Sequence, residues 1–294
     1  MTGVLKVMRR RAGIFPDNVA RSLAAYNPNT DLSHTTMPRI RLFVSDIDGC
    51  LAAPYTPYNL DTLHTLATYT REAGSMDTRG DAVLPVLSLC SGRPYSYVEA
   101  MSQVLGLTTP VLFESGAGMF DPVAAQTTWH PAFTTELQEQ IATMRDWFAR
   151  EAVPGTKISI DHGKRAQAGI VTPDPDEIKA VRPRAIAFAD KHLPDLKVCT
   201  TDVSIDVISP TITKEVGLQW LGEHLDVDLS EMAFIGDTDG DIEAIQATAY
   251  GFAPANAHDI VKAEADYVTE SAVAEGTLEA YRHCMTTNAE MDSA

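Results

Sequence analysis

The sequence predicts an α/β fold: a Rossmann-like parallel sheet with helices on both faces, plus an inserted α+β section. Three observations predict it. Short apolar runs alternate with helix-periodic segments at both ends of the chain, the rhythm of a parallel sheet. Several of these runs end in acid, glycine or hydroxyl residues, as strands do at the ligand-binding rim of an open parallel sheet. Between the two halves the rhythm changes to helix, strand, strand, helix, strand, strand, which suits a small antiparallel sheet with two helices on one face.

Arg41 to Ser45 (RLFVS) reads as a buried strand, apolar and β-branched up to the following acid. Leu60 to Ala73 has helical spacing, with Leu60, Leu63, Leu66 and Ala67 on one face and Gly74 as a stop. Val83 to Cys90 is a second strand, weakened in its first half by Pro85. A helix over Tyr95 to Leu105 and a third strand over Pro110 to Glu114 follow. In the middle section, Thr134 to Ala152 is a helix capped by Thr134 or Thr135. Strands at Lys157 to Asp161 and Ala168 to Val171 come next, then a helix from Pro175 to about Lys191. Strands at Leu196 to Thr200 and Val203 to Ile208 close the section. The first rhythm then returns: helix Lys214 to Leu225, strand Met232 to Ile235, helix Asp241 to Ala249 and strand Tyr250 to Ala253. A helix near Ala257 to Ala263, a strand at Tyr267 and Val268 and a last helix from about Thr277 complete the chain. The expected organisation is a flexible arm over 1–36, a core over 37–129 and 208–294, and an insertion over 130–207.

The whole chain of 294 residues carries a net charge of −17, but its first 36 residues hold five basic and two acidic side chains. The acidic balance argues against a nucleic-acid surface. No run of about 18 apolar residues suggests a membrane span. No apolar stretch follows the early arginines, which argues against a secretory signal. Cys50, Cys90, Cys199 and Cys284 are scattered without a CxxC pair, as expected of reduced thiols in a cytoplasmic protein.

The polar residues at the strand ends carry the chemistry. Asp46-Ile47-Asp48-Gly49 ends the first strand; residues two apart on an extended segment point the same way, so both carboxylates reach one site. Ser91-Gly92-Arg93 ends the second, and Gly236 to Asp241 ends a late one, while Lys214 opens the helix before it. Gathered together, these groups form an acidic cluster with one cation and one hydroxyl. Close carboxylates repel unless protonated or bound to a cation, and oxygen-only donors suggest Mg²⁺. Lys214 and Ser91 would then neutralise and hydrogen-bond a phosphoryl group. Asp237 to Asp241 also resembles the start of an EF-hand loop, but Ile242 stands where that loop needs glycine and Thr248 where it needs glutamate.

These motifs, in this order, resemble those of haloacid dehalogenase (HAD) superfamily phosphatases of the Cof-like branch. The matching segments are DIDGC (Asp46 to Cys50), CSGRPY (Cys90 to Tyr95), the lysine of TKEVGLQWL (Lys214) and IGDTDGDIEAI (Ile235 to Ile245). ESGAGMF (Glu114 to Phe120) and the run Phe252 to Ser271, including Asn256-Ala257, match more loosely. The resemblance implies a HAD-like core with Asp46 as nucleophile and Asp48 as general acid and base. It implies Mg²⁺ between the Asp46 carboxylate, the Asp48 carbonyl and Asp237, with Asp241 close by, directly or through water. Ser91 and the amide of Gly92 would bind phosphate, and Lys214 would hold nucleophile and phosphate together. Residues 130–207 resemble this branch's small α/β cap, in which His162, Lys164 and Arg165 are the candidate substrate contacts. There are departures: Gly240 stands where asparagine is common, Ser115 replaces the asparagine of ENGA, and the second motif has serine for threonine.

The implied substrate is a small phosphorylated metabolite, of the sugar-phosphate, phosphoglycolate or mannosyl-phosphoglycerate class. The cap looks most like those of phosphoglycolate and sucrose-phosphate phosphatases. A phosphomutase would share Asp46 and Asp48. A receiver-type signalling domain uses similar groups, but with its acid pair first and its phosphorylated aspartate later.

Overall fold

The computed structural model describes residues 39–75 and 83–292. The basic arm expected over 1–36 lies outside the described residues. Strand β1 (Leu42–Ser45) is fully buried. It leads to helix α1 (Leu60–Ala73), whose cap Asn59 accepts from the Thr62 amide and which Gly74 ends. Strand β2 (Val86–Leu89) begins directly after Pro85, which has no N–H to give a ladder. Helix α2 (Tyr95–Leu105) stops at left-handed Gly106. Next come β3 (Val111–Phe113), a 3₁₀ turn (Glu114–Gly116), β4 (Gly118–Asp121) and β5 (Gln126–Trp129).

The inserted section holds α3 (Thr135–Glu151), β6 (Ser159–Ile160), β7 (Ala168–Val171), α4 (Pro175–His192), β8 (Lys197–Thr200) and β9 (Ser204–Ile208). The chain then runs through α5 (Lys214–Leu225), β10 (Met232–Ile235), a 3₁₀ turn (Asp239–Asp241) and α6 (Ile242–Ala247). Strand β11 (Tyr250–Ala253), α7 (Asp259–Glu264), β12 (Tyr267–Val268) and α8 (Val273–Asp292) finish it.

The main sheet is parallel, in the order β12-β11-β10-β1-β2. β1 lies at its centre, with Ser45 level with Ile235 on one side and Leu89 on the other. Alternation along β1 splits its side chains between two cores. Phe43 packs with Leu63, Leu66, Val98, Met101 and Tyr281, from α1, α2 and α8. Leu42 and Val44 pack with Leu218, Leu221, Ile245 and Val261, from α5, α6 and α7. Helices therefore cover both faces, as expected.

The third strand departs from expectation. β3 pairs antiparallel with β4, and β4 with β5, in a separate three-stranded sheet. Among the described residues it meets the parallel sheet in a single β-bridge, between Cys90 and Leu112, with the Ser91 amide donating to the Leu112 carbonyl. Pro110 has no amide for a ladder, and its carbonyl accepts from the Ser88 hydroxyl at 2.6 Å. The hairpin turns at Asp121, whose Oδ1 accepts from the amides of Val123 and Ala124.

The inserted section is antiparallel throughout, in the order β6-β7-β9-β8. Ile141, Met144 and Phe148 of α3 share one core with Val181 and Ala185 of α4, so both helices cover the same face. The last helix starts at Val273, four residues before the sequence suggested. The Val273 amide donates to Asn256 Oδ1 and the Thr277 hydroxyl to the Cys50 carbonyl, which fixes its first turns on the core. At its other end, buried Asn288 accepts from the Ile40 amide and donates to the carbonyls of Ile40 and Val83. Asn288→Ala leaves these backbone groups unpaired, each worth about 1–3 kcal/mol when buried, so we expect a loss of about 3 kcal/mol. Urea unfolding checks it: the midpoint should fall with little change in slope.

Candidate active site

Four chain segments converge at the carboxyl ends of the central strands. Asp46 follows β1 and its amide donates to the Ile235 carbonyl at 3.0 Å, locking it beside β10. Its Oδ1 accepts from the Ile47 amide at 2.7 Å, and its Oδ2 lies 2.7 Å from Lys214 Nζ. Lys214 is the first residue of α5, and its cap Thr213 accepts from the Val216 amide. Its ammonium also donates to Asp241 Oδ1 at 2.5 Å. The other oxygen of Asp241 accepts from the amides of Asp237 and Thr238 and from the Thr238 hydroxyl, closing the turn after β10. Asp46, Lys214 and Asp241 are all buried.

Burial works against the charge of Lys214, yet Asp241 and Asp46 outweigh it and raise its pKa well above the usual lysine value. Burial pushes Asp46 up to about 6, against the pull of Lys214 and with a further push from Asp241. Asp237 is pushed up to about 7 by burial, then by Asp46 and Asp241. Crowded carboxyls of this kind resist ionisation unless a cation joins them.

The donors fit a divalent cation. Asp46, Asp237 and Asp241 each offer an oxygen, and these oxygens lie within 4.8 Å of one another. Asp237 Oδ1 is buried with no hydrogen-bond partner. Gly49, at φ +74, supplies the space: a Cβ there would stand 1.8 Å from Asp237 Oδ2. The Gly49 carbonyl is held by Asn256 Nδ2 at 2.9 Å. The Asn256 segment thus braces the first motif, a contact that sequence matching alone did not specify.

Ser91 reaches the same rim because the Cys90 amide donates to the Ser45 carbonyl at 2.9 Å. Its Oγ accepts from the Arg93 amide. Gly92 packs near the Ser115 hydroxyl, and Ser115 takes the left-handed conformation at φ 60. Asp48 is engaged by a residue the sequence reading cited only within its motif: Arg93. Arg93 Nε and Nη2 donate to the two oxygens of Asp48, each at 2.6 Å.

The three substrate candidates of the inserted section separate. His162 is exposed. Lys164 is buried and pairs with Asp206 at 2.7 Å, so it braces β9 rather than sitting in an open loop. The Arg165 guanidinium lies 5.0 Å from the Trp129 ring centre, against the hairpin that the sequence reading did not foresee. Its amide and that of Ala166 donate to the buried carboxylate of Glu114. Burial pushes Glu114 up to about 7, although those amides and Lys164 favour its charged form.

A family model described as haloacid dehalogenase-like hydrolase matches residues 166–280. A phosphoglycolate phosphatase of Methanoculleus marisnigri is 25% identical over 243 residues, covering 83% of this chain and 96% of that protein. The resemblance is thus to haloacid dehalogenase-like hydrolases, and with the phosphatase relatives it marks the chain as a hydrolase. Solved structures agree on the fold of this hydrolase. A Thermoplasma acidophilum protein superposes with a TM-score of 0.65 at 21% identity, over 84% of this chain and 98% of that one. The sucrose-phosphatase of a Synechocystis species, solved with sucrose and phosphate, gives 0.59 at 18% identity over 84% and 98%. Among the described residues, no helix of the hydrolase is long and apolar enough to cross a membrane.

Glu114 makes the hydrolase's stability depend on pH. Its folded pKa of about 7 lies above the ordinary glutamate value of 4.5. The stability it contributes is thus complete below the unfolded pKa and is lost as pH rises through the folded one. Glu114→Gln should flatten the fall in unfolding free energy between those two values relative to the parent protein. Urea titrations across that range, with a metal chelator present, provide the check.

Proposed function

We propose that this hydrolase is a Mg²⁺-dependent phosphomonoesterase that acts on a small phosphorylated metabolite through an aspartyl-phosphate on Asp46. The observation that carries the reading is the buried Lys214 ammonium bridging Asp46 and Asp241 beside the unpartnered oxygen of Asp237. Phosphoryl transfer needs this charge balance around a fixed nucleophile. The phosphatase names of the relatives support the same class.

Asp46, Asp237 and the main-chain carbonyl of Asp48 would hold the ion, which supplies positive charge against the phosphoryl oxygens. Both oxygens of Asp241 are committed to Lys214 and to the turn, so its negative charge would act on the ion at a distance or through water. The Asp46 carboxylate attacks phosphorus as the ester bond breaks, and Asp48 gives its proton to the leaving oxygen. Water then attacks the phosphorus of the acyl-phosphate. Asp48 takes the water's proton, phosphate leaves and Asp46 is restored. Lys214 keeps the nucleophile oriented, and Ser91 with the Gly92 amide binds the transferred group. Residues 130–207 act as the cap, with Glu114 as the point where the core grips it. Four free cysteines, three of them buried, suit a reducing, cytoplasmic setting.

Asp46→Asn should abolish turnover of p-nitrophenyl phosphate. Asp48→Asn should slow steady-state turnover by about 10²–10⁴-fold while acid-quenched protein retains labelled phosphate on Asp46, because this leaving group needs no proton but the water still needs a base. Absence of acid-stable label from the Asp48 variant would reject the covalent route. Gly49→Ala, whose new Cβ displaces Asp237, should weaken Mg²⁺ binding by roughly 10–100-fold in calorimetry while leaving the far-ultraviolet spectrum unchanged.

A further inference from the structure

The turn Glu114–Gly116 touches three parts of the molecule that the proposed chemistry needs in register. On one side it holds the inserted section. The Arg165 and Ala166 amides both donate to the Glu114 carboxylate, and Gln167 Nε2 donates to the Ser115 hydroxyl at 3.2 Å. On a second side it holds the loop assigned to phosphate. The Glu114 amide donates to the Arg93 carbonyl at 2.9 Å, and the Ser115 amide to the Ser91 carbonyl at 2.8 Å. On the third it meets α5, which opens on Lys214. A Cβ on Gly116 would stand 2.7 Å from Gly217 Cα and 3.0 Å from the Thr213 carbonyl oxygen. We propose that this turn is a coupling element, with Glu114 as a positioning residue: seating the 164–167 loop on Glu114 fixes Ser91 relative to Lys214 and so tightens the phosphate site. The inference rests on the phosphatase reading and deepens it.

The backbone of the turn is held rather than relaxed. Glu114 and Ser115 are consecutive non-glycine residues in the left-handed region, at φ 48 and 60, and Gly116 follows at φ 94. Residues with a Cβ keep such angles only where surrounding contacts over-determine them. The contacts that do so here are the bonds to Ser91 and Arg93, the bonds to the inserted loop and the close approach to α5. Removing the Glu114 carboxylate takes away one of these sets. The turn then relaxes, and the amides of Glu114 and Ser115 leave the carbonyls of Arg93 and Ser91. A closely packed turn with partners on three sides does not shift against one without shifting against the others.

The loop that seats on Glu114 is equally committed. Arg145 of α3 donates from Nη2 to the carbonyls of Lys164 and Gln167, at 2.8 and 3.3 Å. The Lys164 side chain is buried against Asp206 of β9. The carbonyls of this loop are thus tied to the inserted section, while its Arg165 and Ala166 amides are tied to the core. It moves with the inserted section, and its contact with Glu114 is made or lost as a unit. Gly92 adds a second path: a Cβ there would lie 3.4 Å from Ser115 Oγ, the oxygen that Gln167 reaches. The Ser115 hydroxyl therefore stands between the inserted section and the loop assigned to phosphate.

Linkage makes such coupling reciprocal. By whatever factor seating the loop strengthens phosphate binding, phosphate binding strengthens seating by the same factor. A residue that only braces the fold lacks this property.

Inorganic phosphate is the probe, because it has no leaving group to reach the inserted section. With Mg²⁺ present, phosphate should slow hydrogen exchange at the Arg165 and Ala166 amides of the wild-type protein by at least about fivefold. Inhibition of p-nitrophenyl phosphate turnover reports phosphate affinity in the variants. Glu114→Ala should raise the inhibition constant of phosphate by about 5–50-fold. Gln167→Met, which keeps Glu114 and removes one bond to Ser115, should raise it by a smaller factor. Ser91→Ala closes a double-mutant cycle: with Glu114→Ala, the two losses should combine to less than their product, because one acts through the other. Asn288→Ala, which loosens the fold at the opposite end of β1, should leave the constant within about twofold. Amides that phosphate does not protect, an unchanged constant in Glu114→Ala or Gln167→Met, an equal rise in Asn288→Ala, or losses that multiply fully with Ser91→Ala would overturn the coupling and leave the phosphatase reading standing. Should Glu114→Ala fail to fold, wild-type exchange and Gln167→Met decide. Wild type that neither turns over p-nitrophenyl phosphate nor binds phosphate removes the reading beneath it.

Discussion

The ion triad of Asp46, Lys214 and Asp241 sets the terms for the rest of the molecule. Two carboxylates and an ammonium are buried together, and losing one partner of such an arrangement typically costs about 3–5 kcal/mol. The triad persists only if its three backbone origins are rigid. Asp46 is pinned by a main-chain bond to β10, Lys214 by the capped start of α5, and Asp241 by three donors in its own turn. A parallel sheet is suited to this, because it brings the ends of strands distant in sequence to one rim. The negative charge left after Lys214 is counted would favour a cation beside Asp237.

Around that centre, neighbouring parts of the chain hold one another in place through backbone groups. Asn256 holds the Gly49 carbonyl and the first amide of α8, so the first motif and the last helix share one clamp. Glu114 reaches from the core to two consecutive amides of the inserted section. Gln167 adds a bond from the same loop to the Ser115 hydroxyl. These contacts place the turn carrying His162 and Arg165 beside Arg93 and Pro94. The inserted section is therefore tied to the core by main-chain donors as much as by charged side chains.

Local sequence was enough for the elements that carry their own signals. Leu60 to Ala73, Tyr95 to Leu105 and Lys214 to Leu225 have helical periodicity with a capping or stopping residue, and their bounds agree with the structure. The strand-end residues of the four motifs were likewise visible, because an acid or hydroxyl directly after an apolar run is a local pattern. The β4–β5 hairpin was not visible: its second strand, Gln126 to Trp129, is exposed for most of its length and shows no apolar alternation.

Long-range partners explain what remained hidden. Nothing near Pro110 indicates that its carbonyl will take the Ser88 hydroxyl and leave β3 outside the main sheet. Nothing near Lys164 indicates that Asp206, 42 residues away, will bury it. The residue types alone told that acids, a lysine and a hydroxyl would meet at a strand rim, since that follows from the chain's local rhythm. Which oxygen faces which cation, and that Arg93 closes on Asp48, was decided only when distant segments packed, because hydrogen-bond geometry and burial belong to the assembled structure.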